Sequence, residues 1–265
     1  MSRFIAFIAL LAALAATAAW YSQYRGVPPR AITTRSTEPD ESWLQQLYSQ
    51  NPREADAAAA RVSQLGSRAL PLIRATLQDP GAEREDRKAA LKACSILGPA
   101  AAPAIPEVAA ELSEPDLTAE AAIALSFMGR GAFAPLRDSL QSDDPVVRRE
   151  ALRSLGKLRS RAPLDSRAVI PLLLGGMEDP DPAVRSVAAT YLGILHDEAE
   201  SSVPALIAGL HDPDVEVRRA SAGALGAFGD AAQAAIPALR KAAADPDEDL
   251  AREAGRALVK LQRGK

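Results

Sequence analysis

The stretch DPDVEVRRASAGALG, residues 212–226, crowds Asp212, Asp214, Glu216, Arg218 and Arg219 into eight positions. Such a cluster belongs either to a site, which occurs once, or to a structural unit, which recurs. It recurs. Thirty-three residues earlier stands DPDPAVRSVAATYLG (179–193), before that DDPVVRREALRSLG (143–156), and a weaker copy, DPDEDLAREAGRALVKL, begins at 245. A proline flanked by apolar residues keeps step with it, as Pro71, Pro106, Pro135, Pro171, Pro204 and Pro237, at intervals of 29 to 36 residues. Self-similarity at this period marks a stacked-repeat architecture.

Each unit divides into two helices. In SSVPALIAGLHD, Ser201 or Ser202 is placed to cap the first helix, Pro204 falls near its first turn, and Val203, Leu206, Ile207 and Leu210 recur at helical spacing. The DPD turn breaks one helix and starts the next. The second helix carries Val217, Ala220, Ala224, Leu225 and Phe228 on one apolar stripe. A glycine follows most second helices, at Gly66, Gly98, Gly129, Gly156, Gly193 and Gly226, where the left-handed C-cap conformation is expected.

The unit AIPAL…DPDVEVRRASAGALG resembles a HEAT repeat, of the short variety found in phycobilin lyases. The resemblance covers roughly residues 41–262 as seven helix pairs. It is weaker in the first three, where Ala58 and Ala121 stand in place of the motif arginine and DPGAEREDRK has extra residues. It implies an all-α, right-handed superhelical solenoid of antiparallel helix pairs over 41–265, led by a helix with Trp43, Leu44, Leu47 and Tyr48 and closed by a polar C-terminal helix. It also implies a hydrogen-bonded ladder of turn aspartate and helix arginine. The matching positions are Asp179 with Arg185 and Asp212 with Arg218. Arg148 also matches, its acid displaced to Asp143 or Asp144, and Ala251 ends the series.

Composition narrows the function. Net charge is −3 and aromatics are 4% of the chain, which opposes a nucleic-acid partner. The one cysteine, Cys94, excludes an internal disulfide and any multi-thiolate metal site. The two histidines stand as His196-Asp197 and His211-Asp212, with no His-Glu pair of the kind that a resemblance to deoxyhypusine hydroxylase would require. No nucleophile elbow or phosphate-binding loop is present. The expectation is a non-enzyme with no cofactor and no metal, a protein-binding scaffold. A chromophore- or small-molecule-handling relative of the bilin lyases is the alternative.

One candidate docking patch rises above the background. Arg149, Arg153 and Lys157 are spaced to line one helix face, and Arg159 and Arg161 are expected in the loop that follows. An acidic partner or anionic headgroups would suit it. The alternative is an ordinary solvated face.

The first 24 residues differ from the rest. Arg3 precedes an uncharged apolar run from Phe4 to Ala19, then Trp20, Tyr21 and Tyr24. Read as an apolar helix it is a membrane anchor with an aromatic belt. Read as a cleaved signal it ends near Ala16-Thr17-Ala18. Residues 25–40 read as a polar tether. The repeat domain is then extracytoplasmic, either membrane-anchored or secreted or periplasmic after cleavage.

Overall fold

The computed structural model describes residues 42–161 and 166–263. The apolar run, the tether and residues 162–165 lie outside the described residues.

The DPD turns start helices by a two-step device. The first aspartate's Oδ1 accepts the N–H two residues on: Asp181 N to Asp179 at 2.9 Å, Asp214 N to Asp212 at 2.8 Å, Asp247 N to Asp245 at 3.0 Å. The second aspartate then caps the new helix. Asp181 accepts from Ala183 N and Val184 N, and Asp214 from Glu216 N and Val217 N, satisfying amides that lack intrahelical partners. In the fourth unit Ser142 replaces the first aspartate and accepts from Asp144 N at 3.2 Å.

Fourteen α-helices result among the described residues, as seven consecutive pairs. The first helices are α1 (Ser42–Gln46), α3 (Leu70–Gln78), α5 (Ile105–Ala110), α7 (Phe133–Asp138), α9 (Ser166–Gly176), α11 (Ala199–Gly209) and α13 (Ile236–Ala242). The second helices are α2 (Pro52–Leu65), α4 (Arg84–Leu97), α6 (Thr118–Phe127), α8 (Pro145–Arg161), α10 (Pro182–Leu195), α12 (Val215–Leu225) and α14 (Glu248–Arg263). Within Glu41–Lys265 each pair packs on its neighbours, as a solenoid requires. Successive second helices stack closely, while successive first helices touch only lightly. The second-helix row is therefore the inner one.

One apolar core runs along the stack, with Leu91, Leu125, Leu152, Leu155, Leu192, Leu206, Leu225 and Leu250 all buried. The run Arg84–Ser113 is apolar enough by composition to pass for a membrane span. It folds as α4, a 3-10 stretch over Gly98–Ala104, α5 and a further 3-10 turn, and its apolar side chains enter this core.

Three expectations shift. Pro171 and Pro204 lie inside α9 and α11. α11 begins earlier than SSVPAL suggested, with Glu198 at its N-cap and Ser202 Oγ donating to Asp197 O at 3.0 Å. Arg159 and Arg161 belong to α8, which continues to residue 161.

The glycines divide into two kinds. Gly66, Gly98 and Gly129 have positive φ at or just past helix ends, but ψ of −135°, −131° and −168° sets them outside the expected left-handed helical conformation. Gly156 and Gly193 lie within α8 and α10, and Gly226 has φ −65°, so none of these three takes the left-handed cap. They give room to the next second helix instead. A Cβ at Gly193 would lie 2.5 Å from Ala224 Cα, and one at Gly156 would strike the Tyr191 ring.

Candidate functional site

The ladder joins neighbouring repeats. Arg148 donates from Nε and Nη2 to the two carboxylate oxygens of Asp179, both at 2.8 Å, and Arg185 does the same to Asp212 at 2.8 and 2.9 Å. The contact six residues back is to backbone: Arg185 Nη1 reaches Asp179 O at 2.8 Å, and Arg218 Nη1 reaches Asp212 O at 3.0 Å. This corrects the expected pairing of Asp179 with Arg185 and Asp212 with Arg218 through their side chains. The Arg148 and Arg185 guanidiniums each bind their own turn's carbonyl and the next turn's carboxylate. The fork geometry of arginine allows both at once.

The same register accounts for the irregular units. Arg148 needs no acid in its own turn, so neither Asp143 nor Asp144 is a displaced partner. Ser142 lacks a carboxylate where the preceding Ala121 lacks a guanidinium, and the two absences match. Arg87, passed over in the sequence because of the two extra residues before it, takes the ladder place in α4. It donates to Asp79 O at 3.5 Å and to Glu111 Oε2 at 3.3 Å. At the far end Arg219 replaces Arg218, holding Asp247 at 2.9 and 2.6 Å, while Arg218 Nε is buried without a partner among the described residues.

These contacts set the titration of the acids. The guanidinium hydrogen bonds hold Asp179 and Asp212 below the usual carboxylate range, and Arg219 brings Asp247 down to about 2. Burial raises Glu111, with the Arg87 guanidinium opposing it. Cys94 is fully buried and its thiol is pushed up to about 12 by that burial, so it is a packing residue and a poor nucleophile. Neither histidine is grouped with acids or Cys94 as a metal site would need among the described residues.

α8 carries the basic residues. Glu150, 4% exposed, lies under two of them: Arg149 Nε reaches Oε1 at 3.1 Å, and Arg153 Nη1 reaches both oxygens at 3.0 Å. Arg159 leaves the stripe, its Nη2 donating to Asp197 Oδ2 at 2.9 Å. Arg161 joins it one turn beyond Lys157. Its guanidinium lies 4.1 Å from the Phe127 ring centroid and donates to Ser126 Oγ at 3.3 Å. Lys157 has no hydrogen bond or ion pair among the described residues. Its ammonium is held below the ordinary lysine range by burial, then by Arg153 and Arg161, with Glu150 opposing.

The surface is thus a line of Arg149, Arg153, Lys157 and Arg161 with one buried carboxylate against it, on the inner row near the middle of the stack. Three guanidiniums and one ammonium so arranged concentrate positive charge along one side of α8.

The architecture defines an α-solenoid built of helix pairs. Residues 134–203 and 170–260 match the family model described as HEAT repeats, so HEAT repeats are detected in this stretch of the chain. Among solved structures, a chain of the Kap95p–RanGDP structure is 18% identical, with 84% of this chain and 35% of that one covered, at TM-score 0.54. The Escherichia coli protein YibA is 16% identical over 84% and 92%, at 0.51. An engineered protein is 20% identical over 83% and 67%, at 0.50. This chain spans about a third of the Kap95p-complex chain it matches. Such likeness establishes the fold. No curated protein matches the sequence.

Proposed function

We propose that this protein is a non-catalytic protein-binding scaffold, held at the extracytoplasmic side of a membrane by its N-terminal segment. The observation that carries the binding reading is Lys157. A cation kept between Arg153 and Arg161 on one side of α8, with its charge disfavoured there and no hydrogen bond or ion pair among the described residues, favours an arriving anion. Repeat stacks present long surfaces of this kind to their ligands. The membrane reading rests on the uncharged run from Phe4 to Ala19 and the aromatic residues after it.

In-cell crosslinking of the full-length protein, followed by mass spectrometry of what it captures, tests the scaffold. One abundant protein partner, lost in Lys157→Glu, is the expected result. An empty capture or a coloured eluate overturns it, the second in favour of chromophore handling. Mass spectrometry of the mature N-terminus tests the anchor, which falls if the chain begins near Ala19 or Trp20.

A further inference from the structure

The basic line has apolar neighbours at matching positions. Counted from the ladder position of each second helix (Ala121, Arg148, Arg185), Ile123 comes two residues on in α6, Arg153 five on in α8, and Ile194 nine on in α10. Offsets of three and four residues keep all three on one helix side. Ile123 is 40% exposed and Ile194 53%, among the few large apolar side chains in water. Beside Ile194 a groove of about 360 Å³ runs between α10 and α12, past Thr190 and Ala227. A diagonal therefore crosses the inner row: apolar, basic, apolar.

We propose that this diagonal binds an extended acidic peptide segment with an apolar anchor at each end. The inference rests on the scaffold reading and names the partner's chemistry. Three stacked helices set the axes of α6 and α10 about 16–20 Å apart. The shift in level adds about 10 Å along the helices. An extended chain at ~3.3 Å per residue covers that diagonal in roughly six residues. The acids between the anchors meet Arg153 and Lys157, with Arg149 and Arg161 above and below. Charge complementarity selects the middle of the peptide, and Ile123 and Ile194 fix its length.

The test uses a fluorescently labelled peptide with two leucines flanking a run of about six acidic residues, read by anisotropy against the full chain. Binding is expected at low salt, weakened about tenfold by Lys157→Glu and to a similar extent by Ile123→Ser/Ile194→Ser. Lys157→Glu has no ion pair to lose and should fold. Lys157→Gln serves as a second variant if it melts early. Equal binding of a peptide with both leucines changed to serine overturns the inference, as does unchanged binding by the isoleucine variant or preferential binding to anionic phospholipid vesicles. If the peptide fails to bind while a crosslinked partner is still lost in Lys157→Glu, the scaffold survives and this inference falls. If crosslinking is also empty, the scaffold falls with it.

Discussion

Arg185 and Asp212 stand 27 residues apart in sequence and meet through two hydrogen bonds of 2.8 and 2.9 Å, with side-chain exposures of only 13% and 11%. That burial separates the pair from surface ion pairs, which are individually worth about 0–1 kcal/mol. Removing Arg185 strands a largely buried carboxylate and two turn carbonyls. Arg185→Ala should cost about 2–4 kcal/mol. Arg218 bonds only carbonyls, so Arg218→Ala should cost about 0.5–1.5 kcal/mol. Denaturant titration of both variants checks the order, and equal losses would refute the cross-repeat register.

Apolar packing outweighs most of the charges. Leu225 is fully buried in α12, and truncating it leaves a cavity between helix pairs. Leu225→Ala should lose about 2–5 kcal/mol, well beyond Arg218→Ala. The same titration decides it.

Glycine separates stacking from helix propensity. Gly193→Ala drives a methyl toward Ala224 Cα at 2.5 Å, so adjacent helices must part, at about 1–3 kcal/mol. Gly255, in α14, has nothing within 4 Å of an added Cβ. Gly255→Ala should therefore stabilise by about 0.5–1 kcal/mol. Opposite shifts in Tm are the expected signature. Destabilisation of both would mean that intrinsic helix preference does not govern α14.

Acid should loosen the seams. A carboxyl whose folded value is depressed adds stability that is fully present above its unfolded value and is lost as pH falls through the folded one. For Asp247 that window runs from the ordinary 3.8 down to about 2, and Asp179 and Asp212 shift in the same direction. Glu111, raised by burial, acts oppositely and loses stability as pH rises from 4.5 through its folded value. Melting curves of wild type and Asp247→Asn should diverge near neutrality and converge towards about pH 2. Parallel curves would show that Asp247 is not held by Arg219.

Much was legible along the chain because its causes are local. The 33-residue echo from 179 to 212, the proline marker and the Asp-Pro-Asp turns placed the helix pairs, since caps and turns act within a few residues. Even the ladder residues could be named, as could Arg149, Arg153 and Lys157 on one face. The matching absences at Ala121 and Ser142 were a readable sign of the true register. What defeated the Arg87 assignment was the insertion, which hides an equivalent spatial place behind a changed spacing.

The sequence by itself determined the repeat, its helix pairs and the chemistry of each turn, because those follow from interactions between near neighbours. Only the tertiary structure decided which aspartate each arginine holds, which glycines are contacts and which are caps, and which cation of the basic line has no hydrogen bond or ion pair among the described residues. Those depend on how one repeat settles against the next. A rise of about 1.5 Å per residue in the helix and about 8–10 Å between axes brings Asp212 to Arg185 and Ala224 to Gly193, and no local pattern encodes that meeting. The same stacking leaves Lys157 beside Arg153 and Arg161 with no carboxylate of its own.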